Sequence, residues 1–425
     1  MACKTSLPCA LALCGVLAPL VANSPAVASS REHLLYSFCS HNYCTDGSQP
    51  DGGLIFDASG NLYGTTYAGG TFDDGTVFEL VRSGGVWREK LLHVFGPNKG
   101  DGALPTSALI FDKAGNLYGT TSAGGLRNGG VFELTPGNGG WTEKILYSFG
   151  QIASDGAMPY GSLVLDDAGN LYGTTYLGGS HNCGSFTCGT VFRLSPGQGK
   201  WTETVLYDFA GSDGSNPESG LFLDTHGHLF GTTATGGANG YGTVFELSRS
   251  GGKWVETVLH SFDPTNEDGS TPLANLSADS AGNLYGTTWS GGVSPNGCFG
   301  YGCGTVFEMT HDHGKWSEKI LHGFSQDAHG YSSAASLILD GAGNLYGTTH
   351  YGGSDVSGCS GFGCGTVFEL VANNGTWKDI TVLSFDGTNG AAPWAGLAWG
   401  AGGQLLGTTV LGGAINAGTV FKVSH

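Results

Sequence analysis

An aspartate followed by glycine recurs in this chain at Asp46, Asp101, Asp155, Asp213 and Asp268, with His329 and Asn389 at the matching places of the last two units. Carboxylates gathered near a common axis would suit calcium, which takes several oxygen ligands at once. The same residue ahead of glycine also caps its own turn by accepting backbone N–H groups. Recurrence once per unit favours the capping role, because a structural need repeats with the unit and an active site rarely does. A second recurrent set, Asp57, Asp112, Asp166, Asp224, Asp279 and Asp340, reads as structural on the same ground. One repeated position instead varies: Tyr67, Ser122, Tyr176, Ala234, Trp289, His350 and Val410 stand directly after Gly-Thr-Thr. Of these, Tyr67, Tyr176, Trp289 and His350 are the candidate ligand-binding residues, since aromatic faces with polar edges stack on sugar rings. Covering of neighbouring loops is the competing role.

Linear catalytic motifs are missing. The sequence holds no Gly-x-Ser-x-Gly elbow, no His-Glu-x-x-His and no phosphate-cradling loop before a helix. No catalytic residue is therefore assigned, although a propeller active site drawn from several blades would leave no linear trace. His93, His260 and His322 occupy the place held elsewhere by Tyr36, Tyr147 or Tyr207, which reads as interchangeable packing. Trp87, Trp141, Trp201, Trp254, Trp316 and Trp377 recur by unit and read as packing too.

The elements that must carry these positions follow from a repeat. Gly-Asn-Leu-Tyr-Gly-Thr-Thr or a close variant begins at Gly60, Gly115, Gly169, Gly227, Gly282, Gly343 and Gly403, at intervals of 54 to 61 residues. A period of this length built of strands means radial or linear repetition. In the second unit, Ser107–Phe111 reads as a short buried inner strand, Leu117–Thr121 as the second, Val131–Leu134 as the third and Trp141–Phe149 as the fourth. Alternation in the fourth predicts Trp141, Glu143, Ile145, Tyr147 and Phe149 on one face, with Lys144, Leu146 and Ser148 on the other. Four antiparallel strands make one blade, so the expected fold is all-β, a seven-bladed β-propeller. Blades are expected over about 52–95, 106–149, 160–209, 218–262, 273–324, 334–385 and 394–423, the last completed by 32–38. The final unit lacks a Trp strand, whereas His33–Phe38 is a fourth strand without a blade, and pairing the two closes the ring and protects its sheet edges.

Residues 1–28 read as a secretory signal, with Lys4 ahead of an apolar stretch and Ala26-Val27-Ala28 as the cleavage site. A single domain then occupies 29–425, with no transmembrane segment expected in it and a monomer expected. Eight cysteines outside the leader fall into pairs of one spacing: Cys39/Cys44, Cys183/Cys188, Cys298/Cys303 and Cys359/Cys364. An even count in local pairs reads as disulfides in an oxidising compartment, extracellular or periplasmic. Each closes a loop so short that the chain-entropy gain is only ~2 kcal/mol, so the bonds pin loops rather than hold the fold. In an antiparallel blade, the second-to-third loops and the fourth-to-first connections emerge on one face, and all four pairs lie there. Composition agrees with an all-β chain: 77 glycines and 12% charged residues suit many tight turns. With 17 Lys and Arg against 35 Asp and Glu, the net charge of −18 excludes nucleic acid as a favoured partner.

At Asp112-x-x-Gly115-Asn116-Leu117-Tyr118-Gly119-Thr120-Thr121, followed by Gly124-Gly125 and Val131-Phe132-Glu133-Leu134, the chain resembles the bacterial GloVer tandem-repeat family of choice-of-anchor exported proteins. The Gly-Gly doublet and the spaced Trp are similar, more loosely, to kelch-type propeller blades. Membership implies export and commonly a C-terminal sorting anchor, and it implies no defined activity. The functional expectation is an exported, non-catalytic binding or scaffold propeller that recognises a glycan or a protein through its disulfide-pinned face, without a cofactor. The alternative is a propeller hydrolase or lyase acting on an extracellular polysaccharide or lactone, with calcium or another divalent cation near the central channel.

Overall fold

Leu-Tyr-Gly-Thr-Thr, with Phe230 and Leu406 in place of the tyrosine in the fourth and seventh blades, forms the second strand of every blade, and each of its residues has a separate task. In the first blade Leu62 is fully buried in the core. The Tyr63 hydroxyl donates to Glu79 Oε1 at 2.9 Å and to Asp57 Oδ2 at 3.2 Å, tying the inner turn to the third strand. Gly64 leaves room for the Phe78 ring: a Cβ here would lie 2.6 Å from Phe78 Cζ. Thr65 Oγ1 reaches across to the next blade and donates to the Ser107 carbonyl at 3.1 Å, while Thr66 Oγ1 pairs with Thr76 Oγ1 at 2.8 Å inside its own blade. Blade 2 breaks this last pairing because Gly130 stands where the others have threonine, and Thr121 Oγ1 is buried without a partner.

The computed structural model describes residues 31–97, 100–126, 128–152, 154–293, 298–354, 358–373 and 375–424. Within them the units become seven four-stranded antiparallel sheets, in the order inner, second, third, outer, arranged as a seven-bladed β-propeller. The first blade comprises Ile55–Phe56, Leu62–Thr66, Thr76–Ser83 and Val86–Val94. Seven buried apolar clusters lie one at each interface between neighbouring blades. The cluster joining blades 1 and 2, for example, sets Tyr63, Val77, Leu92 and Phe95 against Leu109, Leu117, Phe132 and Leu134. The tryptophans cover these seams, with Trp141 edge-on to Tyr63 at 6.3 Å and Trp201 to Tyr118 at 6.3 Å. The hydrophobic effect thus acts between blades as much as within them.

Closure takes the expected form. Arg31–Ser37 pairs antiparallel with Thr419–Ser424, so the opening strand is the outer strand of the seventh blade. Two further bonds seal the seam, from Thr408 Oγ1 to the Gly52 carbonyl at 3.3 Å and from the Asn389 amide to Glu32 Oε2 at 2.7 Å.

Two details depart from the sequence reading. Inner strands shrink to two residues, Ile110–Phe111 in blade 2, because the stretch before them bonds to neighbouring blades. Ser107 accepts from Thr65 through its carbonyl, and Ala108 N donates to Ser162 Oγ at 3.1 Å. The outer strand also carries a bulge: Phe132 pairs with Ile145 but Val131 pairs with Tyr147, leaving Leu146 extra. Trp141 and Ile145 therefore pack toward blade 1, whereas Tyr147 and Phe149 turn to the opposite face and pack toward blade 3, contrary to simple alternation. The stretch read as a leader lies outside the described residues. No helix among those residues is long and apolar enough to cross a membrane.

Candidate functional site

The varied position after Gly-Thr-Thr lies at the end of each second strand, where the chain turns onto the disulfide-bearing face. All four predicted disulfides are formed: Cys39–Cys44, Cys183–Cys188, Cys298–Cys303 and Cys359–Cys364. Four bonds of this kind fit an oxidising location. Three of the loops they close hold the next connection in place, the carbonyls of Cys188, Cys303 and Cys364 accepting from Asn216 N at 2.7 Å, Ser332 N at 2.8 Å and Ala392 N at 2.9 Å.

The mouth of the central channel holds a cavity of about 220 Å³ lined by residues of all seven blades. Its wall comes from the segment leading into each inner strand, beginning at the residue after proline: Asp51, Thr106, Tyr160, Glu218, Leu273 and Trp394, with Ala334 following Ser333 in the sixth blade. The backbone approaches closely here, and a Cβ at Gly52 would meet the Ser107 carbonyl oxygen at 2.5 Å, so glycine is required for the blades to converge.

Around this wall stand the predicted aromatic residues, in two groups. Tyr176 packs edge-on to Tyr160 with centroids 5.5 Å apart, and Tyr67 lies within electrostatic reach of the same Tyr160. On the other side Trp289 and His350 each lie within 5.3 Å of one another and of Trp394, Trp289 at 5.2 Å and His350 at 5.3 Å. Tyr351 backs this group, 4.5 Å from His350. The four predicted residues, each half-buried, thus stand behind the cavity wall rather than in it.

The sequence reading missed Asp51, Glu218, Tyr160 and Trp394. The signal was present, since the residue after proline varies between units just as the one after Gly-Thr-Thr does. Asp51 and Glu218 accept no hydrogen bond from the described residues, and no Lys or Arg lines the cavity. Both keep some surface open to the channel, but the surrounding blades remove most of the water that would hydrate a charge. Burial, reinforced by Glu218, pushes the Asp51 carboxyl up to about 7, and burial raises Glu218 as well. Burial and then Glu218 raise the phenols of Tyr160 and Tyr176. Burial pushes His350 down to about 4, so its ring is neutral, and its buried Nδ1 has no partner.

The Asp-Gly carboxylates are elsewhere. Asp46 accepts from the Tyr36 hydroxyl at 2.7 Å and from Ser40 N at 2.9 Å, Asp101 from Gly96 N at 3.1 Å, and Asp155 from Gly150 N at 3.0 Å. Asp213 accepts from Ala210 N at 2.9 Å and Asp268 from Asp263 N at 2.9 Å. Each caps its own connection beside an outer strand, so the five are not gathered at the axis. The reason is covalent: the connection must pass over the blade before it reaches the channel, and Asp-Gly lies at its start.

The sequence model of the Gloeobacter/Verrucomicrobia repeat matches residues 26–202, 184–301 and 296–425, and the chain belongs to that family. No curated protein sequence matches it. Solved structures to which the chain is similar include a candidate 6-phosphogluconolactonase from Bacteroides uniformis, 14% identical, with a TM-score of 0.49 over 78% of this chain and 85% of that one. A candidate oxidoreductase (glucose dehydrogenase) from Thermus thermophilus is 14% identical, with a TM-score of 0.44 over 93% and 100%. A protein of unknown function from Dyadobacter fermentans is 11% identical, with a TM-score of 0.43 over 94% and 100%.

Proposed function

We propose that this member of the Gloeobacter/Verrucomicrobia repeat family is an exported binding module that takes the end of an uncharged glycan at the channel mouth of its disulfide-pinned face. The observation that carries the reading is the convergence of Tyr160 and Trp394 on one cavity, backed by Tyr176 on one side and by Trp289 and His350 on the other. Aromatic walls supply apolar faces for a sugar ring, and carboxyls without partners accept from its hydroxyl groups. A cavity of about 220 Å³ is smaller than the roughly 300–1,000 Å³ of drug-sized sites. It therefore suits a terminal ring, with the rest of the chain lying across the rim. The absence of Lys and Arg from the lining argues against a phosphorylated or otherwise anionic ligand.

A glycan array probed with the chain from Ser29 onward tests this reading. Truncation of an aromatic anchor typically weakens binding ~10-fold or more, so Trp394→Ala should lower affinity for any neutral glycan identified by at least that factor while the fold survives. Absence of binding by a properly folded protein, or an unchanged affinity in Trp394→Ala, defeats it.

A second reading, a hydrolase or lyase acting on an extracellular polysaccharide or lactone, draws support from the electrostatic coupling of Asp51 to Glu218. A carboxyl raised to about 7 beside another suits general acid–base work near neutral pH. In that case Glu218→Gln would abolish turnover while leaving binding intact, and a divalent cation near the channel would be removed by chelation with loss of activity.

A further inference from the structure

Away from the channel, each pair of neighbouring blades encloses a cleft between outer strands, and the clefts are variations on one design. In three of them a tyrosine donates its hydroxyl to the Asp-Gly aspartate: Tyr36 to Asp46 at 2.7 Å, Tyr147 to Asp155 at 3.0 Å and Tyr207 to Asp213 at 2.6 Å. In two others the tyrosine is replaced by histidine. His93 Nε2 lies 3.2 Å from Asp101 Oδ1, and His260 Nε2 lies 2.8 Å from Asp268 Oδ2. A glutamate of the next blade's outer strand, Glu143 or Glu318, completes each group, and one ligand atom from each of the three residues falls within 4.8 Å of the others.

We propose that these two clefts are binding sites for a divalent transition-metal ion such as zinc, one made by His93, Asp101 and Glu143 and the other by His260, Asp268 and Glu318. Ligands about 2.0–2.2 Å from a tetrahedral zinc ion lie roughly 3.4 Å apart, so the present groups need only small side-chain adjustments to close on a metal. The aspartates are already oriented, Asp101 by Gly96 N at 3.1 Å and Asp268 by Asp263 N at 2.9 Å and Gly269 N at 2.6 Å. Such bonds to a ligating carboxylate hold it in position for a metal.

Glu143 Oε1 and Glu318 Oε1 are buried and accept no hydrogen bond, as the matching carboxylate oxygens of the other clefts also do, so each can take a metal ion without giving up a partner. A cavity of about 620 Å³ opens directly onto His93, Asp101 and Glu143, with room for the fourth ligand that a three-residue zinc site leaves to water. The imidazole sets these clefts apart from the tyrosine-bearing ones, because its nitrogen lone pair suits zinc and its neighbours in the transition series, whereas calcium prefers an all-oxygen shell. The histidines that look interchangeable with tyrosine as packing are not interchangeable as ligands.

Zinc titration by calorimetry, with native mass spectrometry for stoichiometry, tests the proposal on the folded chain. His93→Tyr and His260→Tyr install the residue that three other clefts already carry, so thermal unfolding should hardly change. Each substitution should remove one equivalent of zinc, and the double variant two. Glu143→Gln and Glu318→Gln should each weaken the corresponding site at least 10-fold. A double tyrosine variant that binds as many zinc ions as the parent with the same affinity overturns the proposal.

Discussion

Of the non-glycine residues in the left-handed region, seven stand at the same place in every unit: Gln49, Leu104, Met158, Asn216, Thr271, Ser332 and Ala392, with φ between 55° and 57°. Their backbone groups explain why. Met158 N donates to the Asn128 carbonyl at 2.9 Å, and its own carbonyl accepts from Tyr176 N at 3.0 Å. The residue thereby ties a second-to-third loop to the connection that follows it and fixes the start of the next blade's loop, which is where Tyr176 must stand to pack against Tyr160. A non-glycine residue held there costs on the order of 1–3 kcal/mol. Met158 is exposed, so little packing is lost with its side chain. Met158→Gly is therefore expected to stabilise the protein by about 0.5–1 kcal/mol, the relief of strain outweighing the added freedom of glycine in the unfolded chain. Chemical denaturation measures the difference, and a destabilised variant would show that the side chain itself holds the loop.

At the scale of the element, the second and third strands lock through a glycine and a phenylalanine. A Cβ on Gly119 would meet Phe132 Cζ at 2.6 Å and Leu109 Cδ2 at 3.0 Å, both deep in the core. Overpacking of this kind costs about 1–3 kcal/mol, so Gly119→Ala should lower the denaturation midpoint clearly. Gly139→Ala, in the hairpin turn with nothing within 4 Å of the new carbon, should stay within about 0.5 kcal/mol of the parent. Equal effects would mean that backbone entropy, not the ring, decides the glycine. This lock repeats in every blade, and for that reason the strands were legible: Leu117–Thr121 is found where the sequence places it. The bulge at Leu146 was not legible, because it arises from fitting the outer strand to its partner rather than from a residue type. The channel was half legible. Aromatics after Gly-Thr-Thr stand out against a constant motif, whereas Asp51, Tyr160, Glu218 and Trp394 follow only a proline, and their convergence depends on the radius of a ring that no local pattern encodes.

At the scale of the whole molecule, the ring multiplies one electrostatic feature. An outer-strand carboxyl in every cleft has an oxygen that is buried without a partner: Glu32, Glu89, Glu143, Glu203, Glu256, Glu318 and Asp379. Burial, reinforced by Asp46, pushes Glu89 to about 7, and burial with Asp155 does the same for Glu203. Burial brings Glu143, Glu256 and Glu318 to about 7 and Asp379 to about 6. In these groups the folded chain keeps protons that the unfolded chain releases above 4.5, or above 3.8 for the aspartate. Their contribution is complete below those values and is lost as pH rises through about 6 to 7. The inner-turn aspartates act in the opposite sense. Burial alone would raise Asp57, but the N–H groups of Asn61 and Ser59, the Asn61 amide and the Tyr63 hydroxyl outweigh it and hold the carboxyl below 3.8. Asp112, Asp166, Asp279 and Asp340 are lowered in the same way, so their contribution is present above 3.8 and lost as pH falls below it. Burial holds His322 and His350 at about 4, so these two lose their contribution as pH falls below 6.5. The more numerous cleft carboxyls outweigh them and leave a maximum in mildly acidic solution, and the net charge of −18 at neutral pH adds self-repulsion of the same sign on the alkaline side. The melting temperature should therefore be higher at about pH 5 than at about pH 8. Glu203→Gln, which keeps the shape but cannot ionise, should reduce the difference by a measurable fraction. A melting temperature that is flat or rises between those two pH values would show that the cleft carboxyls ionise freely, and that the seams between blades are wetter than their packing implies.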